Sequence, residues 1–204
     1  MARGEKQKMK HFITFEGIDG SGKSTVSKNV YNKLKLNGFD VALTFEPTNS
    51  WIGKIVQKNI ETRSDPFVTA FTFIADRIDH CKKIQKWLDS GKIVLCDRYS
   101  ESTYVYQAAQ MQGIIDNPLK WLKELSTDRI ITPDRTFLFV IEPKVSLARI
   151  KHRDSLIPFE KIDFLEKVHK NYLNICKGPR FKHLNGTKTI EELTKICYNE
   201  ITNK

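Results

Sequence analysis

The loop at residues 17–25, of the form G-x-x-x-x-G-K-S-T, indicates chemistry more clearly than any other segment. Its glycines let backbone N–H groups surround the β-phosphate of a nucleotide, Lys23 adds positive charge at the β- and γ-phosphates, and the Ser24 hydroxyl can bind Mg²⁺. An apolar, β-branched run precedes the loop, and a helical pattern follows from Val26. That helix directs its positive N-terminal end at the same phosphates. The sequence therefore predicts a nucleotide-binding loop, because a plain glycine-rich turn leaves Lys23 unexplained.

A carboxylate and an arginine follow a second apolar run, Ile93 to Cys96. In phosphate-loop enzymes a carboxylate such as Asp97 holds Mg²⁺, often through water. The planar fork of Arg98 suits anionic oxygens. The alternative is a strand-end pair that only caps a neighbouring helix. The metal ligand that the phosphate loop requires favours the functional interpretation.

Phe73 and Arg77 are four residues apart in a helical pattern and therefore share a face. A ring beside a guanidinium can hold a planar base by stacking and hydrogen bonding. Phe71, Phe73 and Ile74 are equally compatible with an ordinary core, and periodicity alone favours the core.

The segment 148–154 contains three cations, Arg149, Lys151 and Arg153, at the end of a predicted helix. A charge run of this kind is usually a solvated helix face. It could also fold over bound phosphates and stabilise the charge of a transferring group. Both interpretations stay open at this point.

Composition places the chain among globular domains. It has 204 residues, 40% apolar and 28% charged, and no apolar run approaches the roughly 20 residues of a membrane span. We expect a short, mobile, basic extension over residues 1–10 and a single domain over residues 11–204. The four cysteines show no metal-binding spacing, so we expect free thiols, a cytoplasmic location and no membrane partner.

The net charge of +10 raises the question of nucleic-acid binding. No basic stripe with interleaved aromatic residues appears, which favours a solvated basic surface. A pocket for two polyanionic nucleotides also requires positive potential. We therefore expect no nucleic-acid partner.

Short apolar runs alternate with longer helical patterns along the chain. The predicted helices cover residues 24–37, 65–90, 143–153, 159–176 and 189–202. The predicted strands are 11–16, 41–45, 93–97, 136–141 and 181–185. Because the strands are apolar on both faces, they predict an α/β fold: a doubly wound parallel sheet of about five strands flanked by helices, of the phosphate-loop NTPase type. Ligands of such a fold bind at the carboxyl ends of the strands. Polar segments do follow the first three strands, at 17–25, 46–50 and 97–99.

Five motifs together resemble the thymidylate kinase family, whose members phosphorylate dTMP with ATP. They are FEGIDGSGKST (15–25), FEPT (45–48), FIADR (73–77), DRYSESTYVYQ (97–107) and ARIKHR (148–153). Each is moderately specific, but their order and spacing identify the chain as a member of the family from about His11 to its C-terminus. The resemblance implies a nucleoside-monophosphate kinase of nucleotide biosynthesis, with ATP as co-substrate and Mg²⁺ as cofactor.

The resemblance assigns the ATP phosphates to the loop. The implied phosphate-binding residues are Gly17, Ile18, Asp19, Gly20, Ser21, Gly22, Lys23, Ser24 and Thr25. Ser24 and Asp97 would hold the metal. The implied catalytic residues are Lys23, Arg98, Arg149 and Arg153.

The resemblance also assigns residues to dTMP. Phe73 would stack on thymine, Arg77 would donate to its carbonyl edge, and Thr103 and Gln107 lie where the family has polar contacts to the base. The base-binding interpretation of Phe73 and Arg77 is thereby favoured over a plain core.

At the other end of the acceptor, Asp19 would accept from the 3′-hydroxyl and Arg98 would hold the phosphate. Tyr106 would crowd the 2′ position and so favour deoxyribose. Phe45 resembles the aromatic residue that packs on the acceptor in some members.

Two departures from the family pattern stand out. Gly20 occupies a position where some members carry a catalytic arginine, so the lid at about 149–158 would supply that group, with Arg153 as first candidate. Many bacterial members have arginines where this chain has Phe45 and Gln57. Either Lys58 replaces them or Arg98 carries more of the acceptor phosphate.

The chemistry leaves two rivals open. A phosphate acceptor needs no general base, whereas a deoxynucleoside kinase needs one for its hydroxyl acceptor, and Glu46 could serve. A nucleotide-gated protein that binds nucleic acid is the second rival. The long helix at 65–90 has apolar residues beyond those that one sheet face requires, which with the family resemblance indicates a homodimer.

Overall fold

The computed structural model describes residues 12–150 and 161–202, which form a five-stranded sheet between helices. The strands run in parallel in the order β2-β3-β1-β4-β5. They are β1 (Phe12–Glu16), β2 (Val41–Phe45), β3 (Ile93–Asp97), β4 (Arg135–Val140) and β5 (Phe181–Asn185). The predicted fold class is confirmed. β2, β3 and β5 match their predicted bounds, and β4 begins and ends one residue earlier than predicted.

Eight α-helices lie within the described residues. They are α1 (Lys23–Leu36), α2 (Trp51–Glu61), α3 (Pro66–Asp89), α4 (Ser100–Met111), α5 (Pro118–Ser126), α6 (Pro143–Ile150), α7 (Ile162–Ile175) and α8 (Ile190–Thr202). α1, α3, α7 and α8 lie within three residues of their predicted bounds, and α6 starts at the predicted residue. α2, α4 and α5 were not predicted. In α4, eleven of the twelve residues are buried, and many of these are polar. The sequence of α4 therefore lacks the alternation of apolar and polar faces that would predict a helix.

The sheet is covered on both faces, which explains its unbroken apolar runs. Ile13 and Phe15 of β1 pack on Val26 and Val30 of α1, in a cluster that also includes residues of α8. On the opposite face, Phe12 packs in a cluster with Ile84 of α3. Alternate residues of β1 are therefore buried against different helices, as in parallel sheets generally.

The strand order brings the ends of β2, β3 and β1 side by side. Because these strands are parallel, the segments that follow them meet at one edge of the sheet. The predicted extension at 1–10 and positions 151–158 of the predicted lid, Arg153 included, lie outside the described residues. Within the part of the chain that is described, no helix is long and apolar enough to cross a membrane.

Candidate active site

The phosphate loop packs so tightly that two of its glycines leave no room for a side chain. A Cβ at Gly17 would lie 2.8 Å from the carbonyl oxygen of Phe139, and one at Gly20 would lie 2.5 Å from that of Ser146. Gly20 also has a φ of 78°, in the region that favours glycine. The structure thus gives a reason for the missing arginine at position 20, because helix α6 occupies the space that its side chain would need.

Lys23 begins α1 directly behind Gly22 and is almost fully buried. Its Nζ donates to the carbonyl of Ile18 at 3.4 Å and lies 3.7 Å from Oδ1 of Asp19. Burial lowers the pKa of Lys23, the Arg98 guanidinium lowers it further, and Asp19 opposes both. A polyphosphate in the loop would give this ammonium group a stronger counter-charge.

Helix α6 braces the loop from the other side. The Ser146 hydroxyl donates to the carbonyl of Asp19. Arg149 donates from Nη1 to the carbonyl of Gly186 at 2.9 Å and to that of Gly20 at 3.4 Å. The structure therefore places Arg149, a predicted catalytic residue, against the phosphate loop.

Asp97 and Ser24 provide the oxygen ligands that Mg²⁺ prefers. Asp97 ends β3, and its Oδ1 is buried with no hydrogen-bond partner in the described chain. Ser24 lies exposed in the first turn of α1. Mg²⁺ is usually held by one or two carboxylates together with substrate phosphates and water, so this sparse set fits the ion. No group of three His, Cys, Asp or Glu residues in the described chain forms a denser metal site.

Arg98 follows β3 in the left-handed backbone region, with a φ of 67°. Its Nη2 lies 2.7 Å from Oδ1 of Asp19, and its Nη1 donates to the carbonyl of Gly17 at 3.2 Å and to the Ser102 hydroxyl at 3.1 Å. Non-glycine residues in this region are strained and occur disproportionately at functional sites. The turn directs the guanidinium towards the phosphate loop.

Arg77 of α3 is 1% exposed and has several partners. Its Nε and Nη2 lie 2.8 and 2.7 Å from Oε2 of Glu46. Nη2 also donates to the Thr103 hydroxyl at 2.7 Å and to the carbonyl of Tyr99 at 3.1 Å. Burial alone would lower the pKa of Arg77, but Glu46, together with Tyr99 and Tyr104, raises it overall, so the group stays cationic. Its Nη1 is buried with no partner in the described structure.

A cavity of about 190 Å³ separates Arg77 from Arg98. Its lining residues are Asp19, Glu46, Pro47, Ile60, Phe73, Arg77, Arg98, Tyr99, Ser102, Tyr106 and Gln107. Six of the eight residues predicted for dTMP are in this lining. Thr103 is not, but it holds Arg77. Phe45 is not either; it lines a separate cavity next to Thr44 and His80.

The predicted substitutes for the missing arginines differ in position. Lys58 does not line the cavity, whereas Arg98 does; Gln57, which occupies the place of one missing arginine, does not line it either. Gln107 lines the same cavity: its Nε2 donates to Gln110, and its Oε1 is buried and unpartnered within the described residues. One unpaired donor and one unpaired acceptor therefore belong to residues that line the cavity.

A family model described as Thymidylate kinase matches residues 15–196. The chain belongs to the thymidylate kinase family. Similar proteins named "Probable thymidylate kinase" occur in Methanosarcina mazei (40% identical, over 93% of this chain and 94% of the relative), in Methanocaldococcus jannaschii (38%, over 93% of each) and in Natronomonas pharaonis (35%, over 87% and 90%). Membership in the family makes the protein an ATP-dependent nucleoside-monophosphate kinase, as the motifs predicted.

The family motifs did not reveal every residue of the cavity. Pro47, Ile60 and Ser102 line it, and sequence reasoning assigned none of them a role. Ile60 lies on α2, a helix that the sequence analysis did not predict. Glu46 was considered only as a general base, although the FEPT motif placed it at a strand end. Its pairing with Arg77 joins residues 31 positions apart, which no local pattern shows.

A second buried carboxylate, Glu16, lies beneath Arg98. Its Oε1 accepts from the backbone N–H of Tyr99 at 2.8 Å, and its Oε2 accepts from the hydroxyls of Ser102 at 2.5 Å and Tyr172 at 3.0 Å. Burial, reinforced by neighbouring Glu101, raises the pKa of Glu16 to about 7. Because Ser102 also accepts from Arg98, Glu16 supports Arg98 indirectly.

Proposed function

We propose that the protein transfers the γ-phosphoryl group of ATP to dTMP, giving dTDP and ADP. The unpaired atoms of Arg77 and Gln107 carry this proposal. A base with a carbonyl oxygen beside a ring N–H satisfies both, and thymine has this edge. Cytosine presents an amino group and an unprotonated nitrogen instead, so both protein atoms would stay unpaired. Leaving buried polar atoms unpaired is costly, and sites of this kind discriminate strongly.

The phosphate of dTMP needs no base to activate it, because its second pKa near 6 leaves it mostly dianionic at neutral pH. The obstacle is repulsion between two negative nucleotides. In our proposal Lys23, Arg98 and Arg149 offset this repulsion and the charge of the transferring group. Mg²⁺ bound by Ser24 and Asp97 would supply further positive charge at the donor phosphates.

Two residues between the arginines would select the sugar. The Tyr106 ring lies beneath the Arg98 guanidinium, 5.3 Å from it, and the Tyr106 hydroxyl is 3.5 Å from Oδ2 of Asp19. We propose that Asp19 accepts from the 3′-hydroxyl of dTMP. Tyr106 would fill the space that a 2′-hydroxyl needs.

Glu46 is poorly suited to act as the base of a deoxynucleoside kinase. Arg77 occupies its Oε2, and His80 lies 2.9 Å from its Oε1. A general base must instead reach the proton that it removes. The arrangement therefore favours a phosphate acceptor over a hydroxyl acceptor.

The deciding experiment measures ADP release with ATP and Mg²⁺ across dTMP, dUMP, UMP, dCMP and thymidine. We expect turnover of dTMP, no turnover of thymidine, and kcat/KM for dCMP lower by about 10³-fold or more. A protein that leaves dTMP untouched, or that prefers thymidine, contradicts the proposal. Steeply salt-dependent binding of polynucleotides without ADP release with dTMP would support the nucleic-acid rival.

We further propose that residues 149–158 form a lid that closes over both nucleotides and excludes water. Arg153 would stabilise the transferring group, and Arg153→Ala should lower kcat by about 100-fold or more with little change in the KM for dTMP. A variant within about threefold of the unmodified protein removes Arg153 from this role.

A homodimer is the assembly that we propose. Four large apolar side chains on α2 and α3 are exposed: Trp51 (72%), Phe71 (51%), Val68 (48%) and Ile55 (40%). Covering them would remove apolar surface from water. Sedimentation equilibrium should show a dimer that Trp51→Glu dissociates, and a monomeric unmodified protein contradicts this assembly.

We also propose that the protein works in the cytoplasm. All four cysteines are free and buried, which favours a reducing compartment. Cell fractionation tests this location.

A further inference from the structure

We propose that His80 is a positioning residue for dTMP: it holds Glu46, and Glu46 orients Arg77 in the acceptor cavity. The inference rests on the proposed function, since it assigns Arg77 to the base. Sequence analysis gave His80 no role, and it does not line the acceptor cavity. It acts, in this proposal, entirely through its neighbours.

Both ring nitrogens of His80 have a partner. The residue lies on α3, one turn after Arg77, and is 5% exposed. Its Nδ1 lies 2.9 Å from Oε1 of Glu46, and its Nε2 lies 2.8 Å from the hydroxyl oxygen of Thr44 on β2. The ring is therefore held between Thr44, on the edge strand β2, and Glu46, which follows that strand.

The chemistry of the partners decides where the proton lies. An ionised carboxylate only accepts hydrogen bonds, so Nδ1 of His80 donates to Glu46. In the neutral ring Nε2 accepts from the Thr44 hydroxyl, which can donate. The Glu46 contact thus selects the tautomer, and the Thr44 hydroxyl, which can donate or accept, holds the ring in the orientation that this contact needs.

Glu46 passes this constraint to Arg77. One carboxylate oxygen accepts from His80 and the other from Nε and Nη2 of Arg77, so the plane of the carboxylate fixes the plane of the guanidinium. Nη1, the nitrogen without a described partner, then has one direction available to it. Without the His80 contact, Oε1 becomes a buried acceptor without its donor, and the carboxylate can rotate.

The loop at residues 46–50, which contains Glu46, is held in place by a separate set of hydrogen bonds. Asp76, also on α3, accepts from the backbone N–H of Thr48 at 2.7 Å, from the Thr48 hydroxyl at 2.6 Å and from the Ser50 hydroxyl at 2.9 Å. Losing His80 therefore leaves the course of the loop in place and releases the Glu46 side chain. The expected defect is a local one, confined to recognition of the acceptor.

The test compares His80→Asn with His80→Gln in the full-length protein. The amide nitrogen of asparagine can take the place of Nδ1 and donate to Glu46, whereas that of glutamine takes the place of Nε2 and cannot. We expect His80→Gln to raise the KM for dTMP about tenfold, with kcat and the KM for ATP within about threefold. His80→Asn should keep the KM for dTMP within about threefold of the unmodified value.

Two further variants separate positioning from simple loss of stability. Ile201→Ala creates a cavity beneath α8, in the cluster with Ile13 and Phe15 on the face of the sheet opposite α3. It should lower the melting temperature without changing the KM for dTMP. Thr44→Val removes only the second contact of the ring and should raise the KM for dTMP about threefold, which keeps the test available if His80→Gln does not fold.

Equal KM values for His80→Asn and His80→Gln, an unchanged KM in Thr44→Val, or parallel rises for dTMP and ATP would each overturn the role of His80. If the unmodified protein does not phosphorylate dTMP, the proposed function fails and this role fails with it. A protein active on dTMP whose His80→Gln variant keeps its KM contradicts only the inference.

Discussion

The two ends of the cavity, which we propose bind the base and the phosphate of dTMP, hold their arginines in different ways. At the base end, Arg77 is 1% exposed and fixed by Glu46, Thr103 and the Tyr99 carbonyl. At the phosphate end, Arg98 has a side chain that is 18% exposed and rests mainly on Asp19, in a strained backbone conformation. Both are cationic, but only the first is enclosed by permanent partners.

The buried carboxylates differ in the same way. Glu46 at the base end faces Arg77 and His80. Glu16 at the phosphate end accepts from hydroxyls and backbone N–H groups, and burial raises its pKa to about 7. One carboxylate is paired directly with an arginine, whereas the other contributes through Ser102.

The difference matches what each end must do. A neutral base is recognised by few hydrogen bonds, and these give specificity only if their geometry is fixed beforehand. A phosphate carries its own negative charge. Before it binds, the cations that recognise it can therefore pair with acceptors of the protein, and the phosphate then replaces these acceptors. Arg98 on Asp19 and Lys23 on the Ile18 carbonyl are such arrangements. The predictions below test this contrast between a base end with fixed hydrogen-bond partners and a phosphate end whose partners a bound phosphate would replace.

The largest effect should come from Arg98→Ala. Because the guanidinium meets charge that develops on the phosphates, we expect kcat to fall about 10³-fold, measured by ADP release. Arg98→Lys keeps the charge but loses the planar fork, so it should recover only part of the activity. A loss of kcat below about tenfold for Arg98→Ala would mean that the phosphate end does not depend on this group.

Glu46→Gln should cost more stability than the matching change at the phosphate end. It leaves the Arg77 guanidinium buried without its counter-charge, so the free energy of unfolding should fall by about 3–5 kcal/mol in urea denaturation. Asp19→Asn, at a partly exposed pair, should change it by about 1 kcal/mol or less. Similar losses in the two variants would remove the proposed contrast.

Glu16→Gln should change how stability depends on pH. Burial raises the pKa of Glu16 from 4.5 to about 7, so its neutral form is the one that the fold favours. Its contribution is complete below pH 4.5 and is lost as the pH rises through about 7. Relative to the unmodified protein, the variant should therefore gain roughly 3 kcal/mol between pH 4.5 and pH 8, measured by urea denaturation. A stability difference that does not vary with pH would contradict this account of Glu16.

The smallest effect should come from Tyr106→Phe. If the ring rather than its hydroxyl excludes a 2′-hydroxyl, the preference for dUMP over UMP should stay within about threefold of the unmodified protein. Tyr106→Ala, which removes the ring, is the matched variant and should relax that preference. Equal turnover of dUMP and UMP by the unmodified protein would rule out the steric argument.

Much of the fold could be predicted from local patterns. The strands at 41–45, 93–97 and 181–185 were found because buried parallel strands are continuous apolar runs with clear ends. Helix α3 was found from Pro66 at its start and Gly91 after its end. Helix α4 was not predicted. It is buried among other elements and carries buried polar residues such as Thr103 and Gln107, so its sequence shows no apolar stripe.

The sequence by itself determined the phosphate loop, the polar segments that follow the first three strands, and the five motifs of the family. Each of these depends on residues that are close together in the chain. Only the tertiary structure decided which polar atoms are paired and which, among the described residues, are buried without a partner. Glu46 reaches Arg77 across 31 positions, and Arg77 reaches Thr103 across 26. Whether a buried charge is a structural ion pair or a binding group depends on such distant partners. Packing therefore places Phe45 outside the acceptor cavity and brings in Ile60 and Ser102, which no local pattern had indicated.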